Sequence, residues 1–249
     1  MRTVRIYHPG KLSPGKEIQL QDQAARHAVQ VLRLAVSSEL DLFNGDGNEY
    51  KAHITRIERH RAWVQLDSCR QHSRESMLHI TLGQVISKGD RMDYALQKAV
   101  ELGVSRISPL FSQRSVVKLS PERLQKRQQH WQGIMISACE QCGRTVLPQL
   151  DQPMDLAQWV QQQSSGRRLV LAPDASEPLG KYPPADQQVT LLIGPEGGLS
   201  EDEIQFATSQ GFEGIGLGPR ILRTETATVA AVTLLQYLWG DLNLNELSG

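Results

Sequence analysis

From His79 to the end, the chain alternates between short apolar runs and longer helical stretches, and this alternation is what most limits its fold. Residues 80–86 read as a buried strand. Residues 91–102 read as a helix, closed by Gly103 at its C-terminal end. Residues 107–111 form the next strand, and Ser120-Pro121-Glu122 opens a long helix, with Ser as cap and Pro at the first helical position. Residues 169–171, 190–193 and 214–217 are further strands. Strands separated by helices cannot pair through tight hairpins, so the expected product is an α/β fold: a parallel sheet with helices on both faces.

The first 70 residues follow another rhythm. Residues 4–7, 17–20, 39–43 and 62–66 alternate in polarity, and Asn44-Gly45-Asp46-Gly47-Asn48 is a hairpin turn, because Gly and Asn adopt positive φ cheaply. One helix interrupts them, with Asp22 as its cap and Ala25, Ala28, Val29 and Leu32 on one face. Five short strands in so few residues predict a small β-barrel. The polar stretch 71–76 is the linker, so the domains expected are 1–72 and 73–249.

Charge is unevenly spread. Residues 1–75 hold 12 Lys/Arg against 9 Asp/Glu, residues 76–144 hold 10 against 5, and the remainder holds 5 against 13. That distribution suggests a basic part facing a polyanion, joined to an acidic remainder. Cys69, Cys139 and Cys142 are the only cysteines, too few for a disulfide framework and too few for a four-ligand zinc site, so no metal is expected. Cys139 and Cys142 read as two free thiols. There is no signal-peptide pattern and no apolar stretch of membrane-spanning length, which places the chain in the cytoplasm, away from any membrane.

Two segments carry the chemistry. In Leu191-Leu192-Ile193-Gly194-Pro195-Glu196-Gly197-Gly198-Leu199-Ser200-Glu201-Asp202-Glu203, a buried strand runs into a glycine-rich loop and then into a helix. Ser200 and Glu203 form a capping box, with Leu199 and Ile204 as a hydrophobic staple across it. Ligands of parallel sheets sit at the carboxyl ends of strands, where glycine lets backbone approach them closely. No phosphate-loop pattern is present, and three acidic residues at the helix start would repel phosphate. The other reading of the loop is a tight turn that needs glycine. The second segment, Gly216-Leu217-Gly218-Pro219-Arg220-Ile221-Leu222-Arg223-Thr224-Glu225-Thr226-Ala227, repeats the plan. Its helix is apolar nearly all round and should be buried on more than one side, between the sheet and a second subunit. A third strand-end loop starts at Leu171-Ala172-Pro173. Three such loops converging would form one pocket for a small, partly apolar ligand.

These two segments resemble the 16S rRNA (uracil-N3)-methyltransferase family of the SPOUT class. Supporting matches lie around Val31-Leu32-Arg33, in residues 97–103 and 109–119, and in Glu140-Gln141-Cys142-Gly143-Arg144. The resemblance implies a trefoil-knotted C-terminal domain behind a PUA-like N-terminal barrel, and a homodimer. It implies S-adenosylmethionine as methyl donor, held by Leu171, Ala172 and Pro173, by Ile193, Gly194, Pro195, Glu196, Gly197 and Gly198, and by Leu217, Gly218, Pro219, Ile221, Leu222 and Thr224. The substrate would be 16S rRNA or the small ribosomal subunit, contacted by Arg26, Arg33, Lys88, Arg91, Arg114, Lys118, Gln141 and Arg144. Removing the N3 proton of a uridine needs a base or a cation beside the developing oxyanion. Arg223 is the expected cation, and Glu225 or Glu196 the expected proton acceptor. Alternatives are a knotted methyltransferase acting on another RNA base or ribose, and a silent RNA-binding assembly module; an adapter would have no use for a donor pocket.

Overall fold

The computed structural model describes residues 3–59, 61–115, 120–172, 175, 179 and 183–243, so the expectations placed on Lys118 and Pro173 lie outside the described residues. The chain forms two compact units, Met1–Glu75 with Ile136–Leu147, and Ser76–Met135 with Pro148–Gly249.

The first unit is built on β1 (Val4–Tyr7), β2 (Glu17–Gln19), β3 (Glu39–Phe43), β4 (Asn48–Glu58) and β5 (Arg61–Gln71), in the spatial order β1-β3-β4-β5-β2. Only the β1–β3 pair is parallel. The long β4–β5 hairpin has register irregularities at Lys51/Ala52 and Ile54/Arg56, where extra residues increase local twist. Alternate residues face inward, so Ile6, Leu42, Ile54, Val64 and Leu66 form the core. The 44–48 turn is held by side-chain oxygens: Asp46 N–H donates to Asn44 Oδ1 at 3.2 Å and Asn48 N–H to Asp46 Oδ1 at 2.8 Å. The intervening helix differs from its expected form. Helix α1 (Asp22–Arg26) starts on Asp22 itself, with Gln21 at the cap position, and continues as a π-helical turn, His27–Val31. The wider turn shifts the later residues around the axis. Ala25 and Ala28 are therefore buried, whereas Leu32 is 37% exposed instead of joining their face.

The second unit holds β6 (His79–Val85), α2 (Asp90–Glu101), β7 (Arg106–Phe111), α3 (Pro121–Cys142), β8 (Gln149–Leu150), β9 (Met154–Asp155), α4 (Leu156–Gln162), β10 (Arg167–Leu171), β11 (Gln188–Ile193), α5 (Glu201–Ser209), β12 (Glu213–Ile215) and α6 (Thr224–Trp239); α3 passes from this unit into the first at Ile136. The sheet runs β12-β10-β11-β6-β7-β8, with β9 also on β7, and every described pairing is parallel. The expected strands and long helices are all present, and the Ser200–Glu203 capping box forms. Helix α4 was not expected. Asp155 caps it by accepting from Ala157 N–H and Gln158 N–H. Its Trp159 lies flat on Gly83 of β6, where an added Cβ would come within 2.4 Å of the indole. Helix α6 buries Ala227, Ala231, Val232 and Leu235 against α2 and β11. Leu234, Tyr237 and Leu238 remain exposed on the same helix.

Within the first unit, the end of α3 carries Glu140, whose Oε1 accepts the Tyr7 N–H at 3.0 Å. Burial pushes this carboxyl above its ordinary range, against the pull of the Tyr7 hydrogen bond and the nearby His27 and Arg5 charges. A raised folded-state value means that the penalty is absent while both folded and unfolded states are protonated and is complete at neutral pH. Glu140→Gln keeps the acceptor and removes the charge. It should raise the melting temperature near pH 7, a gain that fades as pH falls through the ordinary carboxylate range. Thermal melts at several pH values read this directly. Burial likewise pushes the Cys139 thiol up to about 12, so it is a weak nucleophile.

Candidate functional site

Strands β12, β10 and β11 are neighbours, so their carboxyl ends stand side by side. At those ends lies a cavity of about 480 Å³ lined by Leu171 and Ala172, by Ile193, Gly194, Pro195, Glu196, Gly197, Gly198 and Leu199, and by Leu217, Gly218, Arg220, Ile221, Leu222 and Thr224. Arg114, Glu201, Ile204 and Ala227 complete the wall. The three loops singled out in the sequence thus converge. Of the fourteen described residues expected to hold a donor, only Pro219 is outside the lining.

The first loop is compact because two features force it. Gly198 N–H donates to Pro195 O at 2.9 Å, closing a turn that puts Gly198 at φ +68°. Gly194 packs against the far end of the same loop, where a Cβ would meet Leu199 N at 2.9 Å. Arg114 ties the loop down from outside, its Nη1 donating to Gly197 O at 3.0 Å and Leu199 O at 3.3 Å. Beyond it, the Glu203 side chain accepts from Ser200 N–H and from Gln113 N–H, each at 2.8 Å. The second loop is joined to the first by the Thr224 hydroxyl, which donates to Gly194 O at 2.8 Å. Gly216 sits against the third loop, where a Cβ would come within 2.7 Å of Ala175 O.

The expected catalytic side chains occupy three different settings. Glu196 Oε1 accepts from Lys88 N–H at 3.1 Å and from Arg91 Nη1 at 3.0 Å. Partial burial alone would raise its carboxyl, but hydrogen bonds from its own N–H, from Lys88 and from Arg91 outweigh this and hold it below the ordinary range. A carboxylate held ionised in this way is a weak proton acceptor. Arg223 stands at the cap position of α6 with an extended backbone, its carbonyl accepting from Ala227 N–H at 2.8 Å; its side chain is exposed, with no hydrogen bond or ion pair among the described residues. Glu225, two residues on, is half-buried, and its Oε2 is buried with no hydrogen-bond partner among the described residues. A buried carboxylate oxygen without a partner is costly, which singles this one out among the described residues.

The residues expected to touch RNA also divide. Lys88, Arg91 and Arg114 border the cavity loops as described above. In the first unit, Arg26, Arg33 and Gln141 are exposed, and Arg33 adopts φ +54°. Arg144 is turned inward: it is 4% exposed, and its Nη2 lies 2.5 Å from Glu75 Oε2. Sequence reasoning placed Leu199 and Arg220 within the donor loops without naming them as contacts, and gave no pocket role to Glu201, Ile204 or Ala227. Among the described residues, no cluster of three metal-ligating side chains occurs, and no helix is long and apolar enough to cross a membrane.

Comparison with known proteins agrees with this geometry. An RNA methyltransferase domain family matches residues 74–236, and an RNA methyltransferase PUA domain family matches residues 20–67. The chain is 37% identical to ribosomal RNA small subunit methyltransferase E of Buchnera aphidicola from Schizaphis graminum, over 97% of this chain and 99% of that protein. A Legionella pneumophila protein described as a methyltransferase and solved with the bound cofactor SAM superposes with a TM-score of 0.94 at 44% identity, covering 97% of this chain and all of that one. The Neisseria gonorrhoeae ribosomal RNA small subunit methyltransferase E, solved bound to S-adenosyl methionine, gives 0.89 at 40% identity with the same coverage. Over nearly its whole length, therefore, the chain belongs to the RNA methyltransferase family represented by the ribosomal RNA small subunit methyltransferase E proteins.

Proposed function

We propose that this protein transfers a methyl group from S-adenosylmethionine to N3 of a uridine in 16S rRNA. The observation that carries the reading is the cavity at the ends of β10, β11 and β12. Its apolar walls, Leu171, Ile193, Leu217, Ile221 and Leu222, suit a flat adenosine moiety. Its charged lining carries both signs, Glu196 and Glu201 against Arg114 and Arg220, which suits a ligand that itself bears a cation and a carboxylate. Gly194, Gly197, Gly198 and Gly218 are part of the lining, so both loops present bare backbone to the ligand.

When bound, S-adenosylmethionine supplies a sulfonium-activated methyl group. The chain's own residues do the rest. Glu225 Oε2, buried and without a partner among the described residues, takes the proton from uridine N3 as that nitrogen gains the methyl group. Arg223, whose side chain has no partner among the described residues, stabilises the charge that develops on the uridine oxygen. Glu196 holds Lys88 and Arg91 at the rim. Lys88, Arg91 and Arg114, with Arg26, Arg33 and Gln141 of the first unit, position the RNA through phosphate contacts. Because N3 is hidden in a base pair, the uridine turns out of the helix to reach the cavity.

The exposed Leu234, Tyr237 and Leu238 of α6 give a homodimer its contact face, as expected of a helix apolar nearly all round. The same reading includes the knotted backbone, the division of labour between 1–72 and 73–249, the small ribosomal subunit as partner, and a cytoplasmic site of action. Titration calorimetry tests the donor: saturable binding of S-adenosylmethionine is expected, and its absence would leave a silent RNA-binding module. Nucleotide mapping of 16S rRNA from a strain lacking the gene tests the target. One uridine should lose its N3 methyl group; loss at another base or at a ribose would reassign the chemistry.

A further inference from the structure

Behind the cavity wall, the core holds a polar cluster that the mechanism above does not use. Gln84 is next to last in β6, in register with Ile193 at the end of β11, and is fully buried between Leu82 and Val85. Its Nε2 lies 3.1 Å from Thr224 Oγ1 and 3.3 Å from Val85 O, and its Oε1 lies 2.6 Å from Thr228 Oγ1. Thr224 and Thr228 are one turn apart on α6 and are themselves buried. Counting protons gives the cluster a direction. The Thr224 hydroxyl has one proton and gives it to Gly194 O, so toward Gln84 it can only accept. That requires the amide nitrogen of Gln84 to face Thr224 and its oxygen to face Thr228, whose single hydroxyl proton lies between Gln84 Oε1 at 2.6 Å and Thr224 O at 2.9 Å, the shorter contact being to Gln84. The result is one continuous relay, Thr228 to Gln84 to Thr224 to Gly194, with every donor pointing the same way.

We propose that Gln84 and Thr228 are positioning residues that set the donor cavity in register with the first turn of α6. The relay fixes the carbonyl at the exit of β11, where the first glycine loop begins, to the turn that carries Arg223 and Glu225. Apolar side chains of the same volume would fill the space but impose no direction. A fully satisfied polar cluster in this core specifies one arrangement, because any shift leaves a buried group unpaired. The proposal rests on the reading of the cavity as a donor site.

Two substitutions break the relay without emptying it. Thr228→Val keeps the volume and removes the proton given to Gln84; the amide is then free to turn its oxygen to Thr224 and draw that hydroxyl away from Gly194. Gln84→Glu places an acceptor on both sides, with the same consequence at Thr224. Each should weaken S-adenosylmethionine binding by about tenfold in titration calorimetry, the value of one hydrogen bond, and Thr228→Ser should restore it to within about twofold. The parent chain is the control: if it does not bind the donor, the donor-site reading falls. If the parent binds and both variants bind within about twofold of it, the positioning role is overturned. It is also overturned if the loss follows unfolding by circular dichroism and Thr228→Ser is equally impaired.

Discussion

Arg223→Ala should lower methyl transfer by about 10²- to 10³-fold, the usual cost of removing one preorganised donor from a developing oxyanion. The side chain is exposed, caps nothing and has no partner among the described residues, so its loss strips no core contact and frees no buried group. It is also absent from the cavity lining, so donor affinity should change by less than about threefold. Single-turnover assays at saturating donor, run beside calorimetry, separate the two quantities. Retained turnover would remove Arg223 from the mechanism. A parallel collapse of donor binding would make it part of the cavity instead.

The second large effect lies in the first unit and concerns stability. Arg144→Ala should cost about 3 kcal/mol, because it leaves the Glu75 carboxylate without its guanidinium. The same Glu75 side chain also accepts from Val146 N–H, and Arg5 Nη2 donates to Arg144 O at 2.8 Å, so the change loosens a connected region. Denaturant unfolding measures the loss. The salt dependence of RNA binding should stay unchanged, whereas a residue that neutralises a phosphate would lower that slope by about one. A reduced slope at parental stability would return Arg144 to the RNA surface.

Arg144 also marks a limit of what residue order reveals. Its positive charge was legible, but the partner that turns it inward lies 69 residues away. Helix α6 was legible because a long run, apolar nearly all round, follows the second glycine loop. The glycine loops were legible because three glycines in five residues have few other uses. Helix α4 was not: its seven residues present barely two turns of pattern, and its reason for existing is Trp159 finding space over Gly83 in a distant strand. The π-helical turn at His27–Val31 escaped too, because local periodicity cannot show a widened turn that tertiary packing selects. Gln84 gave a signal that was passed over. One amide inside an apolar strand invites the question of what satisfies it, and the answer sits on α6, 140 and 144 positions later.

The acidic start of α5 has a consequence for life among abundant nucleotides. A helix start ordinarily welcomes anions through its free N–H groups. Here the capping box occupies the Ser200 and Glu203 N–H groups, and Glu201 forms part of the cavity wall. Adenosine triphosphate shares the adenosine portion of the methyl donor, but the anion site that a helix start would lend its phosphates is already taken up by the chain's own side chains. Millimolar nucleotide should therefore compete only weakly with the methyl donor, which inhibition assays read directly.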